Sequence, residues 1–148
     1  MTKGGTPGTN ATYAGDMTVQ ETWDLLAKDP EAVLVDVRTT AEWAYVGLPD
    51  LTSLGKTVHP VSWVTFPNMT KNENFLDEIT ALQPNKDAPM IFLCRSGVRS
   101  IAAAEAATRA GFSRAYNVLE GFEGGHDQNG HRGTVGGWKI AGLAWKQS

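Results

Sequence analysis

The stretch from Met90 to Gly111 decides the fold, and it reads MIFLCRSGVRSIAAAEAATRAG. It opens with a continuous apolar run over 90–93, which is typical of a strand buried on both faces of a sheet. A helix is predicted from about Val98 to Ala110, where six alanines follow Ile101, and Gly111 is suited to its C-cap. Because small side chains let a helix lie close to a sheet, the stretch predicts a strand, a short loop and a helix packed against the strand.

The same alternation of strand and helix patterns extends along the chain. Thr18 and Glu21 have the form of a capping box and open a helix at about 20–28, and Thr39 and Glu42 repeat that form before a short second helix. Pro60 lies within or beside a strand-like run, which predicts an irregular strand or one near an edge. The other predicted elements are strands at 32–37, 58–64 and 115–119, a helix at 75–82 and a short closing helix at 138–145.

Strands that alternate with helices indicate an α/β fold with a central, mainly parallel β-sheet and helices on both faces. The chain has 148 residues, enough for one domain that buries its apolar surface without disulfides or metals. We find no internal repeat and no linker. Residues 16–148 are therefore predicted to form a single domain, preceded by a flexible Gly/Thr-rich tail at 1–15.

Composition and charge exclude several classes of function. The net charge is −3, so no basic field favours nucleic acid, and no apolar run approaches the roughly 18 residues of a membrane span. The N-terminal residues have no apolar core of a signal peptide, so we expect a cytoplasmic protein. His126 and His131, near Glu123 and Asp127, are irregularly spaced in a Gly-rich stretch, which favours a polar loop over a metal site. No metal and no cofactor is predicted.

Cys94 is the only cysteine, and it directly follows a predicted strand. A lone cysteine excludes an intramolecular disulfide, and its simplest interpretation is a buried apolar side chain. Its neighbours favour a reactive one. Loop amides at a helix N-terminus, the helix dipole, and Arg95 and Arg99 all stabilise a thiolate over a thiol. Ligands in parallel sheets bind outside the carboxyl ends of the strands, which is where Cys94 is expected.

The loop Cys94-Arg95-Ser96-Gly97-Val98-Arg99-Ser100 resembles the active-site loop of the rhodanese family. Three further segments resemble the same family: the Asp-Val-Arg sequence at 36–38 with Glu42-Trp43 after it, the strand and turn at 117–121, and the Gly-Trp segment that begins at 137. Two features depart from the family pattern. The histidine of a common Gly-His-Ile-Pro sequence is absent from 46–49, and the stretch 122–136 is longer than in many members.

The resemblance implies a rhodanese-like domain that acts as a sulfurtransferase. Cys94 would be the catalytic nucleophile and would carry a persulfide sulfur, taken from a small donor such as thiosulfate and passed to cyanide, a thiol or a protein acceptor. The resemblance also implies substrate-binding residues in the loop and a supporting group around it. The substrate-binding residues are Arg95, Ser96, Gly97, Val98 and Arg99, and the supporting residues are Asp36, Arg38 and Ser100.

Loop length separates this chemistry from its nearest alternative. Phosphatases with a cysteine loop place arginine after five intervening residues, whereas only four separate Cys94 from Arg99 here. A smaller loop suits a single sulfur better than a tetrahedral phosphate, so phosphatase or arsenate reductase activity is disfavoured. Two alternatives remain open: a non-enzymatic binding module, and a persulfide relay that uses the same Cys94 with a protein acceptor.

Overall fold

The computed structural model describes residues 13–39, 42–43, 47–65, 70–94, 98–119, 121–122, 138, 143 and 145–146. Within these residues the helices are α1 (Val19–Lys28), α2 (Phe75–Leu82) and α3 (Val98–Arg109), with a 3-10 turn at Thr52–Leu54. The strands, in chain order, are β1 (Gly15–Met17), β2 (Val33–Asp36), β3 (Leu48–Pro49), β4 (His59–Pro60), β5 (Val64–Thr65), β6 (Thr70–Lys71), β7 (Met90–Leu93), β8 (Ala115–Val118) and β9 (Trp145–Lys146).

Five strands form a central sheet in the order β1-β8-β7-β2-β4, and every neighbouring pair is parallel. β7 lies at the centre of this sheet and β4, which contains Pro60, at its edge, as the proline predicted. Two small antiparallel pairs, β3 with β9 and β5 with β6, accompany it. The predicted α/β fold with a mainly parallel sheet is confirmed.

The helices cover opposite faces of the sheet because alternate strand residues point to opposite sides. On one face, Val35 and Phe92 pack with Phe75 and Ile79 of α2 and with the alanines of α3. On the other face, residues of the same strands pack with α1, the 3-10 turn, and two aromatic residues that follow β8. The buried members of this second cluster include Leu34, Ile91, Leu26, Leu51, Phe122 and Trp138. The helices therefore lie on both faces, as predicted.

Both predicted capping boxes are present. Thr18 Oγ1 accepts a hydrogen bond from the Glu21 amide at 3.0 Å, and the Glu21 carboxylate accepts one from the Thr18 amide at 2.8 Å. Thr39 and Glu42 make the same reciprocal pair, at 3.4 and 3.1 Å. Gly111 follows α3 with a φ of +105°, a conformation that favours glycine and agrees with its predicted capping position.

The ends of the fold differ from the sequence predictions. Residues 1–12 of the predicted tail at 1–15 lie outside the described residues. The last residues of that predicted tail belong to the fold. Gly15 begins β1, and the Ala14 amide donates to the Ala115 carbonyl at 2.8 Å. The prediction of a closing helix up to Trp145 is wrong at its end. Trp145 lies in β9, paired with Pro49, and its ring contacts Phe122 edge-on at 6.0 Å.

Among the residues described, no helix has the length and the apolar character needed to cross a membrane.

Candidate functional site

Cys94 lies at the carboxyl end of β7, the central strand of the parallel sheet, and α3 begins at Val98. The residue is buried, with 1% of its surface exposed, and it contributes to the apolar cluster between the sheet and α3. Its carbonyl accepts a hydrogen bond from the Phe122 amide at 2.8 Å. The position agrees with the rule for ligand sites in parallel sheets, and the burial restricts which molecules can reach the sulfur.

A chain of hydrogen bonds connects the sulfur of Cys94 with the first strand. The Cys94 Sγ lies 3.3 Å from the Ser100 Oγ, and the Ser100 hydroxyl donates to the Asn117 Oδ1 at 2.5 Å. The Asn117 Nδ2 then donates to the Asp16 Oδ1 at 3.0 Å, and the Tyr13 hydroxyl donates to the same oxygen at 2.8 Å. Ser100 and Asn117 are both buried, so this chain of polar groups runs through the interior of the fold.

Arg99, in the first turn of α3, is held by an acid from a different part of the chain. Its Nη1 and Nη2 donate to the two carboxylate oxygens of Glu42 at 2.8 and 2.9 Å, which is a bidentate pair of the strong kind. Burial by itself raises the pKa of Glu42, but the hydrogen bonds and the charge of Arg99, together with the hydrogen bonds from Thr39, outweigh it and hold that pKa below its ordinary value. Burial by itself lowers the pKa of Arg99, but the hydrogen bonds to Glu42 and the negative charges nearby, first that of Glu42, together outweigh it, so the pKa of Arg99 is raised.

Asp36 and Arg38 form a second ion pair, fully buried at the carboxyl end of β2. The Arg38 Nε and Nη2 donate to the Asp36 carboxylate at 2.9 and 2.7 Å, and Nη2 also donates to the Gly47 carbonyl at 2.6 Å. The guanidinium carbon lies 4.4 Å from the centre of the Phe122 ring, a cation–π distance. The Asp36 carboxylate is therefore committed to Arg38, and Arg38 joins β2 to the segments before β3 and after β8.

The Glu42–Arg99 pair makes the stability of the protein depend on pH. Because the pKa of Glu42 is below its ordinary value of 4.5 in the folded protein, the pair stabilises the fold above that pH, and the contribution is lost as the pH falls further. The side chains of the pair are 17–20% exposed, so we expect Glu42→Gln to lower the free energy of unfolding by up to about 1 kcal/mol at about pH 6. Urea unfolding at about pH 6 and pH 3.5 should show the two proteins converging at the lower pH.

The control for this measurement is Glu73→Gln, which removes an exposed carboxylate outside the pair. We expect the free energy of unfolding of that variant to stay within about 0.5 kcal/mol of the parent value at both pH values. A Glu42→Gln deficit that is equally large at about pH 3.5 would contradict the assignment of this pH dependence to the ion pair.

The structure brings together most of the site residues that it describes. Cys94, Arg99 and Ser100 lie where β7 meets α3, and Asp36 and Arg38 lie at the end of the adjacent strand β2. Val98 is the first residue of α3. Outside the described residues lie the predicted loop positions Arg95, Ser96 and Gly97, and the polar stretch with Glu123, His126, Asp127 and His131.

Sequence reasoning did not assign Glu42, Asn117, Asp16 or Tyr13 to the site. A signal existed for Glu42, which the capping-box pattern placed at the start of a helix close to the end of β2. For Asn117 the signal was a polar residue in the middle of a strand buried on both sides. For Asp16 and Tyr13 there was none, because the sequence before residue 18 showed no strand pattern.

A family model and two curated relatives are similar to the chain. The chain matches the profile of a family described as the STR4 middle domain over residues 14–148. It is 37% identical to the uncharacterized protein RC0915 of Rickettsia conorii over 125 residues, which cover 84% of this chain and 90% of that protein. It is 29% identical to the thiosulfate sulfurtransferase GlpE of Glaesserella parasuis over 109 residues, which cover 74% of this chain and 83% of GlpE.

Solved structures agree with the same fold. The crystal structure of Rv0390 from M. tuberculosis superposes with a TM-score of 0.84 at 54% identity, covering 92% of this chain and 99% of that one. The polysulfide-sulfur transferase of Wolinella succinogenes superposes with a TM-score of 0.59 at 18% identity, covering 90% of this chain and 78% of that one. At that identity the second likeness concerns the fold alone.

Proposed function

This chain is a rhodanese-like domain and belongs to the family described as the STR4 middle domain, and from that membership we propose that it is a sulfurtransferase with Cys94 as its nucleophile. The sulfur donor would be a small anion such as thiosulfate, and the acceptor a thiol or cyanide. The name of the Glaesserella parasuis relative, thiosulfate sulfurtransferase, supports the choice of donor.

One observation carries the proposal. Cys94 lies between the carboxyl end of the central parallel strand and the first turn of α3, where helix dipole and sheet topology favour an anion. The positive charge of Arg99 is fixed in that same turn by Glu42. Both features favour negative charge at this end of the sheet, which a thiolate, a persulfide or an anionic donor would carry.

In the first half of the proposed reaction, the Cys94 thiolate attacks the outer sulfur of thiosulfate. A sulfur–sulfur bond forms between Cys94 and that atom, and the bond to the central sulfur breaks, so that sulfite leaves with its electron pair. The total charge is unchanged, because a thiolate and a doubly charged anion become a persulfide anion and sulfite. We propose that Arg99 and the loop amides at 95–98 hold the charge of the donor during this step.

In the second half, an acceptor thiolate or cyanide attacks the terminal sulfur of the persulfide. The bond between the two sulfurs breaks and its electron pair returns to the Cys94 Sγ, which restores the thiolate. Because Cys94 is 1% exposed, a large acceptor would reach the Sγ itself poorly. The terminal sulfur stands one bond further out, and it is the atom that the acceptor must reach.

The proposal is tested by the mass of the protein after exposure to thiosulfate. We expect one added sulfur atom on Cys94, one equivalent of sulfite released, and loss of the added mass when cyanide or a small thiol is supplied. Turnover with small acceptors would support an enzyme rather than a relay that needs a protein acceptor. Absence of the added mass and of sulfite release would contradict the proposed function.

A further inference from the structure

Each hydrogen bond in the chain behind Cys94 has a defined donor and acceptor. Asn117 Oδ1 carries no hydrogen, so the hydrogen between it and the Ser100 Oγ, 2.5 Å apart, belongs to the serine hydroxyl. A serine hydroxyl has a single hydrogen. Ser100 can therefore only accept a hydrogen bond from Cys94, whose Sγ lies 3.3 Å from the Ser100 Oγ.

The orientation of the Asn117 amide is itself fixed by Asp16. The two residues face each other across the paired strands β1 and β8, and the Asn117 Nδ2 donates to the Asp16 carboxylate. If the amide turned over, its carbonyl oxygen would meet a carboxylate oxygen that cannot donate. The Tyr13 hydroxyl also donates to Asp16. Burial is the larger cause and this hydrogen bond the next, and with them the pKa of Tyr13 is raised to about 12, so that the phenol keeps its proton.

We propose that Asn117, oriented by Asp16, is a positioning residue that fixes the direction of the Ser100 hydroxyl and so favours the protonated form of Cys94. In this arrangement an ionised sulfur would face a lone pair of Ser100 rather than its hydrogen. Turning the hydroxyl toward the sulfur would leave Asn117 Oδ1 facing an oxygen without a hydrogen between them, which is costly in a buried site. The inference rests on the proposed role of Cys94 as nucleophile.

This arrangement opposes the groups that favour the thiolate. Charged groups of the described residues near the site include Arg99 on α3, paired with Glu42, the Asp36–Arg38 pair at the end of β2, and the Asp16 carboxylate within the chain of hydrogen bonds itself. The negative charge of Glu105 on α3 contributes to the raised pKa of Tyr13, at the far end of the chain of hydrogen bonds. The positive side chain of Arg99 favours ionisation of Cys94, and the direction of the Ser100 hydroxyl limits it. The chain of hydrogen bonds would thus restrain the reactivity of the Cys94 sulfur toward other electrophiles when no sulfur donor is bound.

The test is the rate at which iodoacetamide alkylates Cys94, measured at about pH 6 and at the high pH where the rate of each variant stops rising. Asn117→Leu removes the acceptor of the Ser100 hydroxyl while keeping a side chain of similar size. We expect the ratio of the slow rate at about pH 6 to the plateau rate at high pH to rise about 3- to 10-fold, because the freed hydroxyl can donate to the sulfur. Taking this ratio cancels any change in how often the buried sulfur becomes accessible.

Two further variants keep the test decisive if Asn117→Leu does not fold. Asp16→Asn lets the Asn117 amide turn over and donate to Ser100, so we expect a smaller rise in the same ratio. Ser100→Ala removes the link between Asn117 and the sulfur. In that background, adding Asn117→Leu should leave the ratio unchanged, which a double-mutant cycle measures directly.

Three results would overturn the inference. The first is a ratio that stays constant or falls in both Asn117→Leu and Asp16→Asn. The second is a faster reaction by the same factor at both pH values, which reports opening of the fold rather than ionisation. The third is a rise that persists without Ser100. None of these readouts needs sulfur transfer, so the proposed sulfurtransferase activity can fail while this inference stands, and the reverse is also possible.

Discussion

Cys94→Ser should abolish sulfur transfer from thiosulfate to cyanide, together with the mass increase that thiosulfate causes. A serine oxygen cannot hold a sulfur atom as a persulfide does, and Cys94 is the only cysteine of the chain, so no second thiol can replace it. The expected loss is complete within the sensitivity of the assay. The measurement is sulfite and thiocyanate formation under saturating thiosulfate.

The fold should survive this change, because serine is smaller than cysteine and can still bond to Ser100. Cys94→Ala is the matched variant, since it removes the side-chain polarity as well, and it should be equally inactive. The free energy of unfolding of both variants, measured with urea, should stay within about 2 kcal/mol of the parent value. Sulfur transfer by either folded variant would exclude Cys94 as the carrier and with it the proposed mechanism.

The unit around β7 was predictable because several signals agree there. The apolar run at 90–93, the alanine-rich helix and Gly111 each predict the same unit, and the structure has the strand, the helix and the positive φ of Gly111 after it. The two ends of the chain were not predictable in this way. β1 contains a glycine and an aspartate, and β9 follows an apolar run whose short length suits a helix or a strand equally. Both strands depend on partners, β8 and β3, that lie far away in sequence.

The candidate site shows the same division. A cysteine after a buried strand and before a helix could be assigned from the sequence, because its position follows from neighbouring residues alone. The partners of that loop could not. Glu42 reaches Arg99 across 57 positions and Asn117 reaches Asp16 across 101, and spacing along the chain says nothing about such contacts. Polar residues at buried positions were the available signal, because each needs a partner.

The two ion pairs differ in what they should contribute to stability, although both join a carboxylate to an arginine in a bidentate geometry. The Asp36–Arg38 pair has no exposed side-chain surface, whereas the Glu42–Arg99 pair is partly exposed. A charge left without its partner in a dry interior costs far more than one that water can reach.

Asp36→Asn should therefore destabilise the fold by about 3–5 kcal/mol, because it leaves the Arg38 charge buried without a negative partner among the residues described, with only the neutral amide oxygen at position 36, the Gly47 carbonyl and the Phe122 ring in contact with it. Urea unfolding at neutral pH measures the loss, and Glu42→Gln is the matched control, with an expected loss of up to about 1 kcal/mol. Adding Arg38→Met to Asp36→Asn should recover much of the stability, since the uncompensated charge is then gone. A double variant less stable than Asp36→Asn would show that Arg38 stabilises the fold chiefly through its packing on Phe122 and its bond to Gly47, and not through its charge pair with Asp36.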